Sequence, residues 1–240
     1  MTPSERTRKE LVAMKVPSPI LWGRGVDAAW FNPNRRSRLR RETRGGDHRV
    51  HVLHVGRLAT EKDVDTLIAA FQRAHAVLTD SAVFCVAGDG PRAREVRDAL
   101  PFAMHYGFLQ RDDLADLYAD ADLFVFPSAT ETCGLVVLEA LASRLPVIAA
   151  NAGGVPENVM DGRTGLLITP RNADGFSQAI IALTIDSAER NAMAEAARVF
   201  AQGRGWGREM DALESIYASI AQSTSEVATP SIWPATTSVG

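Results

Sequence analysis

The sequence predicts a doubly wound parallel α/β sheet. Three observations carry that expectation. From Val50 onward, short apolar runs of strand length alternate with amphipathic runs of helix length. Glycine-bearing loops fall where each strand-like run hands over to a helix-like one. The chain has 240 residues with 46% apolar content, enough for one α/β core of roughly 150–180 residues plus appendages.

Taken in order, Val50 to Val55 reads as the first strand, followed by the loop Gly56-Arg57-Leu58-Ala59-Thr60-Glu61-Lys62. Leu67, Ala70, Phe71, Ala74 and Leu78 then recur at helical spacing. A second strand covers 82–87 and ends at Gly88-Asp89-Gly90-Pro91, where Pro91 suits the first position of a helix over 92–100. A short strand near His105 and Tyr106 leads to Gly107-Phe108-Leu109 and a helix over 112–119. Residues 123–127 form a buried strand, and Thr132-Cys133-Gly134 turns into an apolar helix over 135–142. Leu145 to Ala149 and Gly165 to Ile168 supply the last strands. Amphipathic helices follow over 172–183, 186–201 and 205–220. Residues 221–240, rich in Ser, Thr and Pro, read as a disordered tail.

One residue is out of place for folding alone. Glu139 lies in Leu135-Val136-Val137-Leu138-Glu139-Ala140-Leu141-Ala142, a helix expected to be buried nearly all round. A buried carboxylate costs several kcal/mol unless something pairs with it. Either it snorkels or meets a core arginine, or it awaits a ligand. Eight positions earlier stands Glu131, just past the strand, and the turn between them leaves first-turn N–H groups free to hold an anion. Two carboxylates flanking such a turn suit a ligand with a sugar hydroxyl, a phosphate and a ribose. In an open α/β sheet ligands collect outside the carboxyl ends of the strands, so Arg57 and Lys62 enter the same crevice, where both neutralise a diphosphate. Alone, that pair reads equally well as solvated surface charge, and Gly88-Asp89-Gly90 as a plain sharp turn.

The order of these segments is far more specific than any one of them. GRLATEK, AGDGP, GFL, LFVFPS, ETCGLVVLE, LPVIA and NAGGVPENV, in that sequence, resemble the nucleotide-sugar-binding half of retaining GT-B glycosyltransferases. These are the group 1, family 4 type, related to bacterial GDP-mannose-dependent α-mannosyltransferases and to α-glucosyltransferases. The resemblance runs from about Trp22 to about Ile220. It implies catalytic roles for Arg57 and Lys62 on the departing diphosphate and for Glu131 on the donor sugar. It implies that Thr132, Cys133, Gly134 and Leu135 contact sugar and phosphate through the backbone, and that Glu139 accepts from the ribose hydroxyls. Gly56, Gly88 and Asp89 line the nucleotide, and Leu109 falls where the family's backbone meets the base. Two departures stand out: Cys133 replaces a frequent aromatic and Arg144 a frequent glycine.

The resemblance also implies a division of the chain. Residues 1–49 correspond to a hinge, an N-terminal-domain remnant and a basic connector, and 50–204 to the nucleotide-sugar-binding domain. Residues 205–220 correspond to a crossover helix and 221–240 to the tail. Family members are about twice as long, with the acceptor site in the other half. The expected function is therefore the donor-binding half of a retaining transferase using a GDP-mannose or UDP-glucose type donor. The alternative is a non-catalytic nucleotide-sugar-binding subunit or truncated remnant. The expected partners are the donor, a lipid or glycan acceptor and an N-terminal-domain chain; no cofactor, metal or nucleic acid is expected.

Charge is uneven: residues 1–50 hold 12 Lys and Arg against 5 Asp and Glu, and the remainder 14 against 24. The run Arg35 to Arg41 reads as a solvated connector facing the cleft or the other domain of the family, and the formal charge of −3 argues against a dedicated nucleic-acid binder. Asp120-Ala121-Asp122 is assigned to capping the preceding helix rather than to a metal. Trp22, Trp30 and Phe31 are expected to be left uncovered and to promote self-association. Two cysteines, no stretch of eighteen apolar residues and no hydrophobic leader predict a cytoplasmic protein, with peripheral contact at the inner membrane face allowed.

Overall fold

The computed structural model describes residues 1–225. Its centre is a six-stranded, all-parallel sheet in the order β3-β2-β1-β4-β5-β6. The strands are β1 (Val50–Val55), β2 (Ala82–Ala87), β3 (Met104–Gly107), β4 (Leu123–Phe126), β5 (Val147–Ala150) and β6 (Gly165–Ile168). The helices are α1 (Glu5–Ala13), α2 (Arg38–Thr43), α3 (Val64–Leu78), α4 (Ala93–Ala99), α5 (Arg111–Asp120), α6 (Leu135–Ala142), α7 (Ala173–Ile185), α8 (Ser187–Gln202) and α9 (Trp206–Ser225). The chain builds outward from β1 through β2 to β3, then returns to the other side of β1 as β4. That reversal opens a crevice between the carboxyl ends of β1 and β4.

The central strands feed two cores because successive side chains point to opposite faces. Leu53, Phe124 and Phe126 pack with Tyr118, Val137 and Leu141 on one face. Val52, Leu123 and Val125 pack with Leu67, Phe71 and Ile180 on the other. Sheets covered on both faces need continuously apolar strands, and β2 and β4 are buried at every position.

Several expectations need correcting. The basic run is not a solvated connector. Arg35 bonds Asp112 and Asp116, Arg36 bonds Asp122, and Arg40 and Arg44 converge on the buried carboxylate of Asp120. Arg41 is only 2% exposed and bonds Asp47 and Asp122. Asp120 and Asp122 therefore anchor α2 and the strand edge instead of capping α5: Asp120 Oδ1 accepts from Ser37 N at 2.8 Å and Asp122 Oδ2 from His51 N at 2.8 Å. Two patches of opposite charge, remote in sequence, neutralise each other in space.

The hinge aromatics are also covered. Phe31 is buried against Tyr118, Trp22 donates its indole N–H to Glu209 O, and Trp30 lies between the guanidiniums of Arg35 and Arg111. Helix α6 is not buried all round, for Leu135 is 43% exposed. Pro91 precedes α4 by two residues rather than opening it, because Asp89 and Arg92 on either side are hydrogen-bonded to Leu58 of the β1 loop. The first twenty residues, for which no element was anticipated, contain α1, capped by Ser4. Helix α9 runs through Ser225, past the expected start of the tail; residues 226–240 lie outside the described residues. No helix among the described residues is long and apolar enough to cross a membrane.

Candidate donor site

Three loops meet at the carboxyl ends of β3, β2 and β1, and glycine is what lets them meet. Gly88 has φ 135°, and a Cβ there would stand 1.9 Å from Gly56 O. Its N–H donates to Gly107 O at 2.7 Å, while Gly56 N donates to Ala87 O and Leu58 N to Asp89 O. The backbone of one loop is thus the wall of the next. We expect Gly88→Ala to disrupt this junction, since neither the φ nor the space suits a side chain. Thermal melting checks it, and an unchanged melting temperature would show that the loops are not locked.

The junction floors a cavity of about 440 Å³ lined by Gly56, Gly88, Asp89, Phe108, Leu109 and Leu114. That volume lies within the range of small-ligand pockets, and the lining is mainly apolar. Phe108 is 74% exposed at its mouth. Leu114 is shared with a second cavity of about 240 Å³, which reaches Glu139, Arg111 and Asp27.

Glu139 is half-buried and is bonded to a tyrosine, which neither of the two sequence-based alternatives named. Tyr118, fully buried on α5, has its single hydroxyl proton within reach of Glu139 Oε2 at 3.2 Å and Val136 O at 3.3 Å. Burial pushes the Glu139 carboxyl up to about 7, against the opposing pull of the Tyr118 hydrogen bond and the Arg111 charge. The same burial, together with the Glu139 charge, raises the Tyr118 hydroxyl well above its ordinary value, so it remains a donor. Arg111 pairs with Asp27 at 2.8 Å across the second cavity.

Lys62 and Glu131 are brought together by the fold: Nζ lies 2.7 Å from Oε2, with both side chains largely covered. The loops carrying them are tied, since Thr130 Oγ1 donates to Glu61 O at 2.8 Å. From the other side Gly154 N donates to Glu131 O at 2.7 Å, and Cβ atoms at Gly153 and Gly154 would stand 2.1 and 2.2 Å from the carbonyls of Glu131 and Thr132. Asn158 donates to Cys133 O at 2.7 Å. Gly134, at φ 65°, opens α6 without a side-chain cap, which leaves the turn 132–135 with a helix N-terminus facing the crevice. Arg57 stands apart from this cluster; it is exposed and pairs with Glu61 at 3.3 Å.

Tyr118, Arg111, Asp27 and Asn158 escaped the sequence reading. Tyr118 alone carried a usable signal, a phenol on the apolar face of a core helix whose hydroxyl must find a partner. The two cysteines differ sharply. Burial drives the Cys85 thiol up to about 12, whereas Cys133 sits half-exposed in the α6 turn. Thiolate is the reactive form, so alkylation at pH 8 is expected at Cys133 first, by more than an order of magnitude. Equal labelling by mass spectrometry would contradict that placement.

A profile of the glycosyl transferases group 1 family matches residues 36–200. The chain is 38% identical over 221 residues to a GDP-mannose-dependent alpha-mannosyltransferase of Mycolicibacterium smegmatis, covering 92% of this chain and 56% of that protein. It is 35% identical over 217 residues to a sulfoquinovosyl transferase of Arabidopsis thaliana, covering 86% of this chain and 41% of that protein. The chain thus spans about half the length of these relatives. Among solved structures, sucrose-phosphate synthase from Thermosynechococcus elongatus superposes with a TM-score of 0.82 at 24% identity, over 92% of this chain and 58% of that one. Anabaena HepE in complex with UDP-glucose superposes with a TM-score of 0.79 at 23% identity, over 91% and 63%. The single parallel sheet and its helices form a Rossmann-like α/β fold that matches these GT-B glycosyltransferases over about three-fifths of their length, and the profile runs from before β1 into α8 with the loops of the crevice. The chain belongs to the glycosyl transferases group 1 family.

Proposed function

We propose that this chain binds a nucleotide-diphosphate sugar and provides the donor side of a glycosyl transfer that retains anomeric configuration. The observation that carries the reading is the continuity of the crevice. An apolar cavity of nucleoside size opens at Leu114 toward Glu139, and the uncapped α6 turn and the Lys62–Glu131 pair flank the same strand ends. In this reading the base lies against Leu109 and the Gly88 loop, and the ribose hydroxyls donate to Glu139. The diphosphate faces the N–H groups of 132–135 together with Lys62 and Arg57, and the sugar hydroxyls meet Glu131. When the bond from the anomeric carbon to phosphate oxygen breaks, its electrons pass to that oxygen. The cations and N–H groups hold the resulting charge, an electrostatic term that often dominates transfer chemistry.

GDP-mannose and UDP-glucose type donors are favoured, a choice supported by the names of the relatives and by the UDP-glucose in the HepE complex. The acceptor is read as a lipid or glycan. Two free thiols support a reducing, cytoplasmic setting. Transfer needs an acceptor wall that excludes water, and the residues assigned here all come from one sheet. We therefore expect this chain alone to bind donor and hydrolyse it slowly, and to transfer sugar only when an acceptor-side domain is supplied.

Calorimetry with GDP-, UDP- and ADP-sugars tests the reading. One nucleotide series is expected to bind, and Lys62→Ala to weaken it roughly tenfold or more through loss of a charge-assisted contact. Absence of binding by every member of the panel would overturn it.

A further inference from the structure

Lys62 and Glu131 satisfy each other before any donor arrives. Nζ lies 2.7 Å from Oε2, and among the described residues this is the one side-chain partner of either group. The two side chains are 23% and 19% exposed, so most of the water that weakens a surface ion pair is excluded. The neighbouring charges are engaged elsewhere. Arg57 pairs with Glu61 in the open, and the Asp63 carboxylate accepts from the Thr66 hydroxyl at 2.9 Å.

The backbone beneath the pair is fixed on both sides. Lys62 closes the short turn Thr60–Lys62 with its N–H on Ala59 O, and Asp63, at φ 55°, starts α3. Across the gap Thr130 bonds Glu61 O and Gly154 N bonds Glu131 O, with no room for a Cβ at Gly153. Withdrawal of either loop breaks these bonds, whereas rotation of the Lys62 and Glu131 side chains does not. The pair therefore opens by exchanging partners in place.

A diphosphate needs Lys62. Drawing the ammonium away leaves the Glu131 carboxylate covered and unpaired, the costly half of a broken pair. A free nucleoside diphosphate offers that carboxylate only further acceptor oxygens. An intact donor carries sugar hydroxyls beside its β-phosphate, and these donate to Glu131 as Lys62 turns to the phosphate. We propose that the Lys62–Glu131 pair is a discriminating latch, which yields to nucleotide that still bears its sugar and resists nucleotide that has lost it. Glu131 is then the residue that sets the preference for intact donor over spent nucleotide. The latch rests on the donor-site reading, which puts the diphosphate at Lys62 and the sugar at Glu131. With the sugar gone, Glu131 recovers Lys62, the nucleoside diphosphate loses a cation, and its departure is favoured.

Calorimetric titration of the full chain with GDP, GDP-mannose, UDP and UDP-glucose tests the latch. In whichever series binds, the sugar form should bind the wild-type chain roughly tenfold or more tightly than the free diphosphate. Glu131→Gln keeps the shape and removes the charge. It should tighten the free diphosphate roughly tenfold and loosen the sugar form, so that the preference disappears or inverts. On a Lys62→Gln background the same change at Glu131 should no longer tighten the free diphosphate. The β-methyl ester of the diphosphate, which has the donor's charge without its hydroxyls, should bind the wild-type chain no more tightly than the free diphosphate. Tightening by Glu131→Gln that persists without Lys62 would mean direct repulsion of phosphate and overturn the latch. An ester that matches the sugar form would overturn it too, and should Glu131→Gln fail to fold, this comparison on the wild-type chain decides alone. Binding of sugar form and free diphosphate with equal affinity strikes the latch and spares the donor-site reading, whereas failure of all four nucleotides to bind strikes both.

Discussion

Arg41→Ala is expected to cost this domain about 3–5 kcal/mol, the usual penalty for removing one partner of a buried ion pair. The guanidinium is 2% exposed and bonds five acceptors. They are the carboxylates of Asp47 and Asp122 and the carbonyls of Asp47, Arg49 and Asp120. Alanine leaves two carboxylates and three carbonyls facing a void that no neighbour fills. The melting temperature should fall by roughly 10 °C or more. Arg41→Lys should recover only part of this, since an ammonium cannot span both carboxylates and the carbonyls. Arg38, whose side chain is 87% exposed, is the control, and its replacement should change little. An Arg41→Ala protein melting close to wild type would refute the claim that the basic run is structural. Asp122 adds a pH dependence. Burial pushes its carboxyl up, but Arg36 and Arg41 overcome this and hold it below its usual 3.8. A depressed carboxyl contributes stability above its unfolded value, and that contribution is lost as pH falls through the lower folded value.

Glu139 carries the second large effect, and its sign is opposite. Its carboxyl rises from 4.5 to about 7 in the folded protein without ligand, because burial disfavours the charge. A raised folded value means that the protonated acid stabilises the fold fully below 4.5 and that this contribution fades as pH rises through about 7. Ligand binding runs the other way: ribose hydroxyls need an ionised acceptor, so nucleotide affinity should climb between pH 6 and 8. Glu139→Gln separates the two. It should raise the melting temperature at pH 8 but not at pH 5, by on the order of 2 kcal/mol once partial exposure is allowed for. It should also weaken nucleotide binding roughly tenfold and flatten the pH dependence. Wild-type affinity that is flat from pH 6 to 8, or a Glu139→Gln protein less stable at pH 8, would place Glu139 in a structural role instead.

The strands were legible because each buried strand must be apolar throughout. β1, β2 and β6 fall at the residues the sequence marks, and α3 to α8 agree to within a few residues, whereas α1 and α2 were not anticipated. The loop glycines were legible too, although their purpose was not. Gly88 and Gly153 are required less by a ligand than by a neighbouring carbonyl 1.9 and 2.1 Å from where a Cβ would stand. The roles of charged side chains were the least readable. A guanidinium in sequence looks solvated whether it faces water, as Arg57 does, or five acceptors, as Arg41 does. Lys62 and Glu131 were read as separate contacts to a ligand, yet they are bonded to each other.

By itself the sequence determined the fold class and the order of the elements from β1 onward, because hydrophobic periodicity and turn chemistry are local and add up along the chain; the family was legible only in the resemblance of its ordered loop motifs. Tertiary structure alone decided which charges pair and which polar groups a buried acid meets. Asp120 and Arg40 are eighty residues apart and Tyr118 and Glu139 twenty-one, on elements whose relative placement is fixed only when β4 returns beside β1. Electrostatic pairing depends on distance and burial in space, and neither is written in the order of residues along the chain.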